Sequence, residues 1–282
     1  MKKEQAREAR VKRTVELEQY YTCQDLALRC IRAVEAKFTL KSFSLVLEPS
    51  AGDGSFFLQL PESNRIGIDV DPRAEGIKQA DFFLWQPPFF ERNILTIGNP
   101  PFGRRGCLAM DFLNKSCRFS RVVAFILPRS FKKDTFINRI NPSFHLVEEF
   151  DCDSFRSPEG DILCVKSVFQ IWERRSELRN QIERSTSHED FDLKHAHLSR
   201  ITPEQHLELK RDYHFAIAQV GSNFKPKPLG EINAGSYWFV RMKRDGIFPI
   251  FERLDFSFLE GKNLSFTSLS KKDIIQAYCE AI

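Results

Sequence analysis

The chain has 282 residues, enough for one large domain or for a domain with a smaller appendage. Hydrophobic residues make up 42% of it, which supports a sizeable core, and no apolar run approaches the length of a membrane span. The formal net charge of +4 is mild, so it is compatible with a nucleic-acid partner without indicating one.

The seven cysteines are scattered, odd in number and contain no Cys-x-x-Cys pair. This pattern favours free thiols in a reducing compartment over a disulfide framework. Residues 1–8 have no apolar stretch and include acids, which argues against a secretory signal or an organelle transit peptide. We therefore expect a cytoplasmic protein, or a nuclear one if the organism is eukaryotic, with no membrane partner.

Residues 1–18 form a charged N-terminal segment, and apolar residues then recur at helical spacing over 23–38. Thr22 is the expected N-cap of that helix. The next elements are predicted as a strand at 43–47, a glycine-rich loop at 48–55, a helix at 56–60, a strand at 65–72, a helix at 73–79, a strand or exit loop at 81–85 and a strand at 94–97. The order of these elements is typical of a Rossmann-like, doubly wound parallel α/β sheet: a strand, a glycine-rich loop, a helix, and a strand that ends in an acid.

The second half of the sheet is predicted from a helix at 107–118, strands at 121–127, 143–150 and 162–172, and a loop at 151–160. Residues 176–212 are polar and are predicted as a helical linker, with a capping box beginning at Thr202. Residues 213–282 alternate aromatic, β-branched and turn residues. They are predicted as a small, mostly β C-terminal α+β appendage that ends in a helix at 271–281.

The loop after the first predicted strand reads Glu48-Pro49-Ser50-Ala51-Gly52-Asp53-Gly54. It matches neither a dinucleotide fingerprint nor a nucleoside-triphosphate loop. Its two acids are placed to meet the ammonium end of an amino-acid-like ligand. Asp69, at the end of the second strand, is placed to bind a ribose diol, and Asp81-Phe82 an adenine amine and ring face. An amino acid, a ribose and an adenine are the parts of S-adenosylmethionine. The plainer alternative is that these residues only mark the ends of strands and the beginnings of loops.

A stiff corner follows the strand at 94–97, because Asn99-Pro100-Pro101-Phe102 continues neither a strand nor a helix. The adenine amine is a poor nucleophile, since its lone pair is delocalised into the ring. The side-chain oxygen of Asn99 and the carbonyl of Pro100 are placed to stabilise the positive charge that develops on such an amine. Phe102 offers a stacking face. The plainer alternative is a turn at a sheet edge with a buried phenylalanine.

Residues 19–172 resemble the catalytic core of class I S-adenosylmethionine-dependent methyltransferases that make N6-methyladenine, in the subgroup whose cofactor motif precedes Asn-Pro-Pro-Phe/Tyr. The resemblance implies a methyltransferase domain at 19–175, with Asn99, Pro100, Pro101 and Phe102 as catalytic residues. It also implies a cofactor contact at Thr22, although Cys23 stands where the family usually has proline. The residues assigned to the cofactor are Thr22, Glu48, Ser50, Ala51, Gly52, Asp53, Gly54, Asp69, Val70, Asp81, Phe82 and Asn99.

By the same resemblance, an aromatic residue after the sixth strand packs against the target base, and Phe155 is the candidate. Arg104 and Arg105 follow the catalytic motif and are placed to hold a phosphate backbone, or else form a solvated basic loop. Further cations are Arg129, Lys132 and Lys133. The C-terminal appendage, with Trp238, Phe239, Arg241, Lys243 and Arg244, is the candidate for target recognition.

The resemblance implies methylation of adenine in DNA, and the nearest alternative is an adenosine-N6 methyltransferase acting on RNA. A protein-glutamine methyltransferase and an inactive cofactor-binding scaffold are the more distant alternatives. His195 and His197, with His188 and His206 nearby, are interpreted as a solvated cluster and not as a metal site, because no cysteine stands at finger spacing.

Overall fold

The structure is a computed structural model, and it describes residues 21–88, 93–157, 161–221, 224–259 and 268–282. The predicted charged segment at 1–18 lies outside the described residues. The chain divides into two compact units, with the boundary between Gln181 and Ile182. Each unit has its own sheet and its own hydrophobic core.

The first unit is built on an eight-stranded mixed sheet. Its strands are β1 (Tyr21–Thr22), β2 (Leu45–Glu48), β3 (Arg65–Asp69), β4 (Ile77–Gln79), β5 (Ile94–Gly98), β6 (Val122–Pro128), β7 (Phe144–Arg156) and β8 (Ile162–Arg174). Their order across the sheet is β1-β7-β8-β6-β5-β2-β3-β4. Strands β2 to β6 pair in parallel, whereas β8, β7 and β1 are added antiparallel at one side.

Helices cover this sheet: α1 (Gln24–Glu35), α2 (Cys107–Ser116) and the short α3 (Asp134–Ile137). All residues of β2, β5 and β6 are buried, as expected for central parallel strands covered on both sides. Along β2, Val46 packs in the core that contains α1, whereas Leu45 and Leu47 pack in the core that contains α2. Because strands β2 to β6 run parallel, their carboxyl ends lie at one edge of the sheet. Ligands bind at this edge in open α/β sheets.

Several local predictions for this unit were wrong. Residues 73–79 are not a helix, because Ile77–Gln79 pairs in parallel with β3 as an edge strand. The predicted helix at 56–60 is a single 3₁₀ turn at Phe57–Gln59. The predicted loop at 151–160 is mostly strand, since β7 continues through Arg156 in a long hairpin with β8. Residue Cys23, not Thr22, is the N-cap of α1, and it caps without a side-chain hydrogen bond.

The second unit contains a four-stranded antiparallel sheet in the order β11-β10-β12-β9. In chain order its elements are β9 (Phe191–His197), α4 (Pro203–Asp212), β10 (Phe215–Ala218), β11 (Pro226–Pro228), β12 (Ser236–Met242), α5 (Phe248–Glu252) and α6 (Lys271–Ala281). The capping box at Thr202 and the C-terminal helix are confirmed. The helical linker at 176–212 is wrong in part, because β9 pairs along its whole length with β12.

The predicted fold class is confirmed: a Rossmann-like α/β sheet accompanied by a smaller, mostly β unit. None of the described helices is long and apolar enough to cross a membrane.

Candidate active site

A cavity of about 350 Å³ opens at the edge where the parallel strands of the first sheet end. Its volume lies within the usual range for small-molecule sites. The residues that line it are Tyr21, Pro49, Ser50, Gly52, Asp69, Val70, Asp71, Ala80, Asp81, Phe82, Phe83, Asn99, Pro100, Pro101, Phe102, Leu108 and Phe112. The structure thus brings the predicted glycine loop, the acid after β3, the Asp81-Phe82 pair and the Asn-Pro-Pro-Phe motif to one place.

The glycine loop is held by a carboxylate from the neighbouring strand. The backbone N–H of Gly52 donates to Oδ2 of Asp69 at 2.8 Å, and the N–H of Asp71 donates to Oδ1 at 2.8 Å. Gly52 has a φ of +47°, and a Cβ there would lie 3.1 Å from Cε1 of Tyr21. Asp69 therefore fixes the loop close against an aromatic ring, and each of its oxygens keeps a lone pair for a ligand.

The glycine loop also contacts the candidate catalytic motif. The hydroxyl of Ser50 donates to the backbone carbonyl of Asn99 at 3.1 Å. Gly98, which precedes the motif, has a φ of +147°, and a Cβ there would lie 3.1 Å from Cγ of Glu48. Only glycine combines this backbone conformation with so close an approach. The end of β5 and the loop after β2 therefore form one connected structure.

Glu48 lies beneath these two loops and is 2% exposed. Its Oε2 has no hydrogen-bond partner in the part of the chain that the structure describes. Burial raises the pKa of this carboxyl well above its usual value. The hydrogen bond from the backbone N–H of Phe57 lowers the pKa in part, whereas the carboxylates of Asp53 and Asp69 raise it further. A cation bound at this edge would favour the ionised form.

The motif itself lies fully in the cavity wall: Asn99, Pro101 and Phe102 are half-buried and Pro100 is buried. The carbonyl of Phe102 accepts the N–H of Ala109 at 3.2 Å, which attaches the motif to the first turn of α2. The side chain of Phe102 packs against both cores of the unit. The motif is thus supported by regular structure on both sides.

The turn at Asp81-Phe82 is fixed by a lysine that the sequence analysis missed. Lys115, in α2, donates from Nζ to the carbonyls of Phe83 at 2.7 Å and Trp85 at 2.8 Å, and its Nζ lies 5.0 Å from the centre of the Phe82 ring. Burial lowers the pKa of Lys115. Asp81 closes the same turn by accepting the N–H of Phe83 at 2.8 Å. No local pattern distinguishes this lysine from other helical lysines.

Five predicted cofactor residues do not line the cavity. Thr22, Glu48, Ala51 and Gly54 are buried behind it. The carboxylate of Asp53 accepts the N–H and the hydroxyl of Ser55 and forms an ion pair with Arg156 at 3.3 Å, so its charge is compensated within the fold. These residues support the loop. A direct contact from any of them to a cofactor stays a prediction.

The placement of Phe155 in a loop was wrong. Phe155 lies in β7, opposite Thr22 of β1, and is fully buried in the core that contains α1. In this position its ring has no exposed face on which a base could stack. The physical reason is that the hairpin of β7 and β8 extends beyond the parallel part of the sheet and turns this side chain inward.

Seven lining residues were not selected from the sequence. They are Tyr21, Pro49, Asp71, Ala80, Phe83, Leu108 and Phe112. Most adjoin a selected residue in the chain, so proximity to the motifs was an available signal. Leu108 and Phe112 were visible only as the apolar face of a helix.

Four of the five predicted basic residues in the first unit fall into two groups. Arg104 and Arg105 lie exposed in a 3₁₀ turn directly after the motif. Arg129 and Lys132, at the exit of β6, both form ion pairs with Asp151. Lys132 also lies 3.7 Å from Glu149. This second group is therefore already neutralised within the first unit.

The lining residues include three carboxylates, from Asp69, Asp71 and Asp81, and no lysine or arginine among those described. Phenylalanine rings supply flat apolar walls. Asp71 is paired with Arg73 at 2.6 Å, whereas Asp69 and Asp81 accept backbone N–H groups and have no ion pair among the described residues. Two uncompensated carboxylates next to aromatic surface, above a buried carboxyl group, fit a cationic ligand that carries a ring and a diol. S-adenosylmethionine has this chemistry.

Two histidines of the second unit, His195 and His197, bind neighbouring side chains, whereas the buried Nε2 of His206 has no partner among the described residues. Nε2 of His195 lies 2.9 Å from Gln219 and 2.8 Å from Ser236, and His197 bonds to Ser199 at 2.9 Å. Within the described ranges, no three His, Cys, Asp or Glu side chains form a group that could hold a metal ion.

Comparison with known proteins gave matches among solved structures only. No protein-family model matches the chain, and no curated protein matches its sequence. The chain is similar to a proposed RNA methyltransferase, PH1948, from Pyrococcus horikoshii, with 22% identity over 57% of this chain and 89% of that one and a TM-score of 0.44. It is also similar to the 23S rRNA methyltransferase ErmE, with 16% identity over 93% and 99% of the two chains and a TM-score of 0.39.

A third similar structure is an S-adenosylmethionine-dependent methyltransferase from Anabaena variabilis, with 13% identity over 58% of this chain and 91% of that one and a TM-score of 0.37. All three proteins are named as methyltransferases, as is the family that the sequence resembles. Because the identities are below 25% and the TM-scores below 0.5, we base the function on the residues of the site.

Proposed function

We propose that this protein transfers a methyl group from S-adenosylmethionine to the N6 amine of adenine in a nucleic acid. The observation that carries the proposal is the position of Asn99-Pro100-Pro101-Phe102 in the wall of an acidic cavity, in contact with the glycine loop through Ser50. An amine-binding motif and a site for a cationic, ring-bearing cofactor thus share one cavity.

The cofactor, when bound, supplies an electrophilic methyl group on a sulfonium sulfur. In our proposal Asp69 accepts hydrogen bonds from the ribose hydroxyls, because it lines the cavity at the end of β3. Phe82 and Phe83, in the turn that Lys115 holds, would offer ring faces to the adenine of the cofactor. Glu48 adds negative charge beneath the amino-acid end.

The target amine would be held by the side-chain oxygen of Asn99 and the carbonyl of Pro100, which both accept hydrogen bonds. Two acceptors draw electron density onto the nitrogen and stabilise the positive charge that develops as it attacks. Proline has no N–H that would compete at this position. The ring of Phe102 would stack on the target base. No strong general base is needed before transfer, because the proton leaves after the nitrogen becomes cationic.

We place RNA ahead of DNA as the polymer, which reverses the preference drawn from the sequence. A duplex base must be extruded at a cost of a few kcal/mol, which favours a dedicated binding module. The residues expected to form one are engaged elsewhere: Arg241 and Lys243 bind Asp192, Arg244 binds Asp190, and Phe239 is fully buried. An unpaired adenine in RNA requires no extrusion.

The test is mass spectrometry of nucleosides from RNA and DNA of cells that express the wild type or Asn99→Ala. We expect N6-methyladenine in RNA, lost by at least about 100-fold in the variant, because one of the two acceptors is removed. Calorimetric titration with S-adenosylmethionine should give similar affinities for both proteins. A signal in DNA alone would favour DNA as the polymer. Methylation of a glutamine peptide without either nucleic-acid signal would overturn the proposal.

A further inference from the structure

A second, open pocket of about 550 Å³ adjoins the candidate catalytic motif. It is lined by Gly103, Arg104, Arg105, Cys107, Leu108 and Asp111. Leu108 also lines the first cavity, so the two pockets share a wall. The second pocket therefore lies directly beside the place where the proposed function puts the target base.

Two guanidinium groups in this pocket form no ion pair with a described residue. The side chains of Arg104 and Arg105 are exposed, and within the described part of the chain neither guanidinium has an ion-pair or hydrogen-bond partner. Asp111 lines the same pocket but forms no ion pair with either arginine. The contrast is with Arg129 and Lys132 at the neighbouring strand exit, which both bind Asp151. The pocket therefore carries a net positive charge that the fold does not compensate.

The backbone of this turn is strained at Arg105. Arg105 has φ 56° and ψ 28°, and it is the one non-glycine residue with positive φ among those described. This conformation strains any residue with a side chain, and glycine would avoid the strain. Gly103 and Gly106 flank it at φ +66° and +73°, and the N–H of Gly106 donates to the carbonyl of Gly103. Folding of the turn does not explain an arginine here, since glycine suits the position better.

We propose that this second pocket binds the phosphodiester backbone of the polymer next to the target base. We call it the phosphate pocket, and it is lined by Gly103, Arg104, Arg105, Cys107, Leu108 and Asp111. The inference rests on the proposed function, which puts that base against Phe102. A guanidinium group matches phosphate oxygens with paired donors. Arg104 follows Asn99 by five residues, which span at most about 17 Å, so the bound phosphates belong to nucleotides close to the target. Such contacts position the strand and carry no base sequence information.

The experiment measures binding of a fluorescently labelled, adenine-containing single strand by anisotropy across a series of salt concentrations. Arg104→Gln removes one cation, and Arg105→Gly removes the other with a residue that suits φ 56°. For a single strand, each lost phosphate contact should lower the slope of log K against log salt by about 0.7. The double variant should lose about 1.4, with the same loss for strands of different sequence.

The matched control is Arg118→Gln. Arg118 is exposed and unpaired among the described residues, and it follows the opposite end of α2, about 15 Å along the helix. This variant should keep the wild-type slope, and so should Arg104→Lys, which keeps the charge. Thermal unfolding of each variant verifies that it folds. An unchanged slope in the double variant, an equal loss in Arg118→Gln, or no salt-dependent binding by the wild type would each overturn the inference.

Strands of RNA and DNA with the same sequence form the two arms, and a loss of slope in either arm supports the phosphate pocket and identifies the source. Failure of this inference differs from failure of the proposed function. If only the inference fails, cofactor binding and methyl transfer persist while the salt slopes of the variants match the wild type. If only the proposed function fails, the slopes change as expected but calorimetry shows no cofactor binding.

Discussion

At the edge of the first sheet, Asp69, Asp71 and Asp81 line a cavity that contains no described lysine or arginine. In the second unit, by contrast, Asp192 binds both Arg241 and Lys243, and hydrogen bonds from these two cations lower its pKa. Of the three carboxylates in the cavity, Asp71 is paired with Arg73, so the first unit leaves the charges of Asp69 and Asp81 available at a concave surface. The second unit instead uses its charge to hold its own strands together. This difference is the reason why we propose the first unit as the place of the chemistry.

A buried cluster of the second unit also pairs its polar groups with one another. The hydroxyl of Tyr278 donates to Asp190 at 2.7 Å, and Arg244 lies 3.0 Å from the same carboxylate. Burial and this carboxylate raise the pKa of Tyr278 to about 12, so the phenol stays protonated. Polar groups that satisfy each other completely stabilise a fold but offer little to a ligand. The first unit has the opposite character behind its cavity, where the buried Oε2 of Glu48 lacks a partner among the described residues.

The largest effect should come from Gly103→Ala in the first unit. A Cβ at Gly103 would lie 2.5 Å from Cβ of Leu108 and 3.0 Å from its backbone nitrogen, at a φ of +66°. We expect a loss of about 2–4 kcal/mol in the free energy of unfolding, because both the overlap and the backbone strain must be relieved. Urea-induced unfolding followed by circular dichroism measures it.

The control for this change is Gly246→Ala in the second unit, where φ is +80° but no described atom beyond the chain neighbours lies within 4 Å of the added Cβ. It should lose only about 1 kcal/mol, the cost of the backbone conformation. Equal losses in the two variants would show that the close approach at the catalytic edge is not a constraint.

The next effect concerns Lys115→Met, which keeps the apolar stem and removes the charged donor. The carbonyls of Phe83 and Trp85 would lose their donor, at a cost of about 1–3 kcal/mol in stability. Because these residues hold the turn at Asp81-Phe82, calorimetry should also show weaker binding of S-adenosylmethionine. The exposed Lys166 offers the control: Lys166→Met should change neither property. Undiminished cofactor affinity in Lys115→Met would separate the turn from the cofactor site.

A pH-dependent effect is expected from Glu48→Gln. The pKa of Glu48 is raised in the folded state, so its contribution to stability is fully present below the unfolded value near 4.5 and is lost as pH rises towards the folded value. Glutamine does not titrate. The variant should therefore gain stability relative to the wild type as pH increases, by at most about 1.4 kcal/mol per pH unit.

Thermal unfolding of both proteins between pH 5 and pH 8 gives this difference. The exposed Gln86 supplies the control, since Gln86→Ala removes no titratable group and should show a difference that is constant with pH. A constant difference for Glu48→Gln as well would mean that the buried carboxyl does not titrate differently in the folded protein.

The smallest effect should follow Arg241→Gln in the second unit. Its guanidinium is partly exposed and already bound to Asp192 at 2.5 Å, and partly exposed ion pairs contribute little. Nucleic-acid binding should keep the wild-type salt slope, because this cation is not available to a phosphate. A slope reduced as strongly as in Arg104→Gln would return the second unit to the role of target recognition.

The sequence was most informative where a function depends on neighbours in the chain. The buried strands, the glycine loop after β2 and Asn99-Pro100-Pro101-Phe102 after β5 were predicted from short patterns. The loop and the motif meet at one cavity, although the two acids of the loop, Glu48 and Asp53, do not line it. The rule that parallel strands end at one edge then brought Asp69 and Asn99 to the same cavity. The fold class and most of the cavity wall were therefore determined by the sequence alone.

The tertiary structure decided what depends on partners far along the chain. Phe155 turned from a loop residue into a buried strand residue because it pairs opposite Thr22. Arg241 lost its role as a free cation because β9, absent from the predictions, brings Asp192 beside it. Strand pairing and ion pairing join residues dozens to more than a hundred positions apart, and no local pattern encodes which partner is chosen. The sequence thus specified the atoms available for chemistry, and the fold selected which of them remain free to perform it.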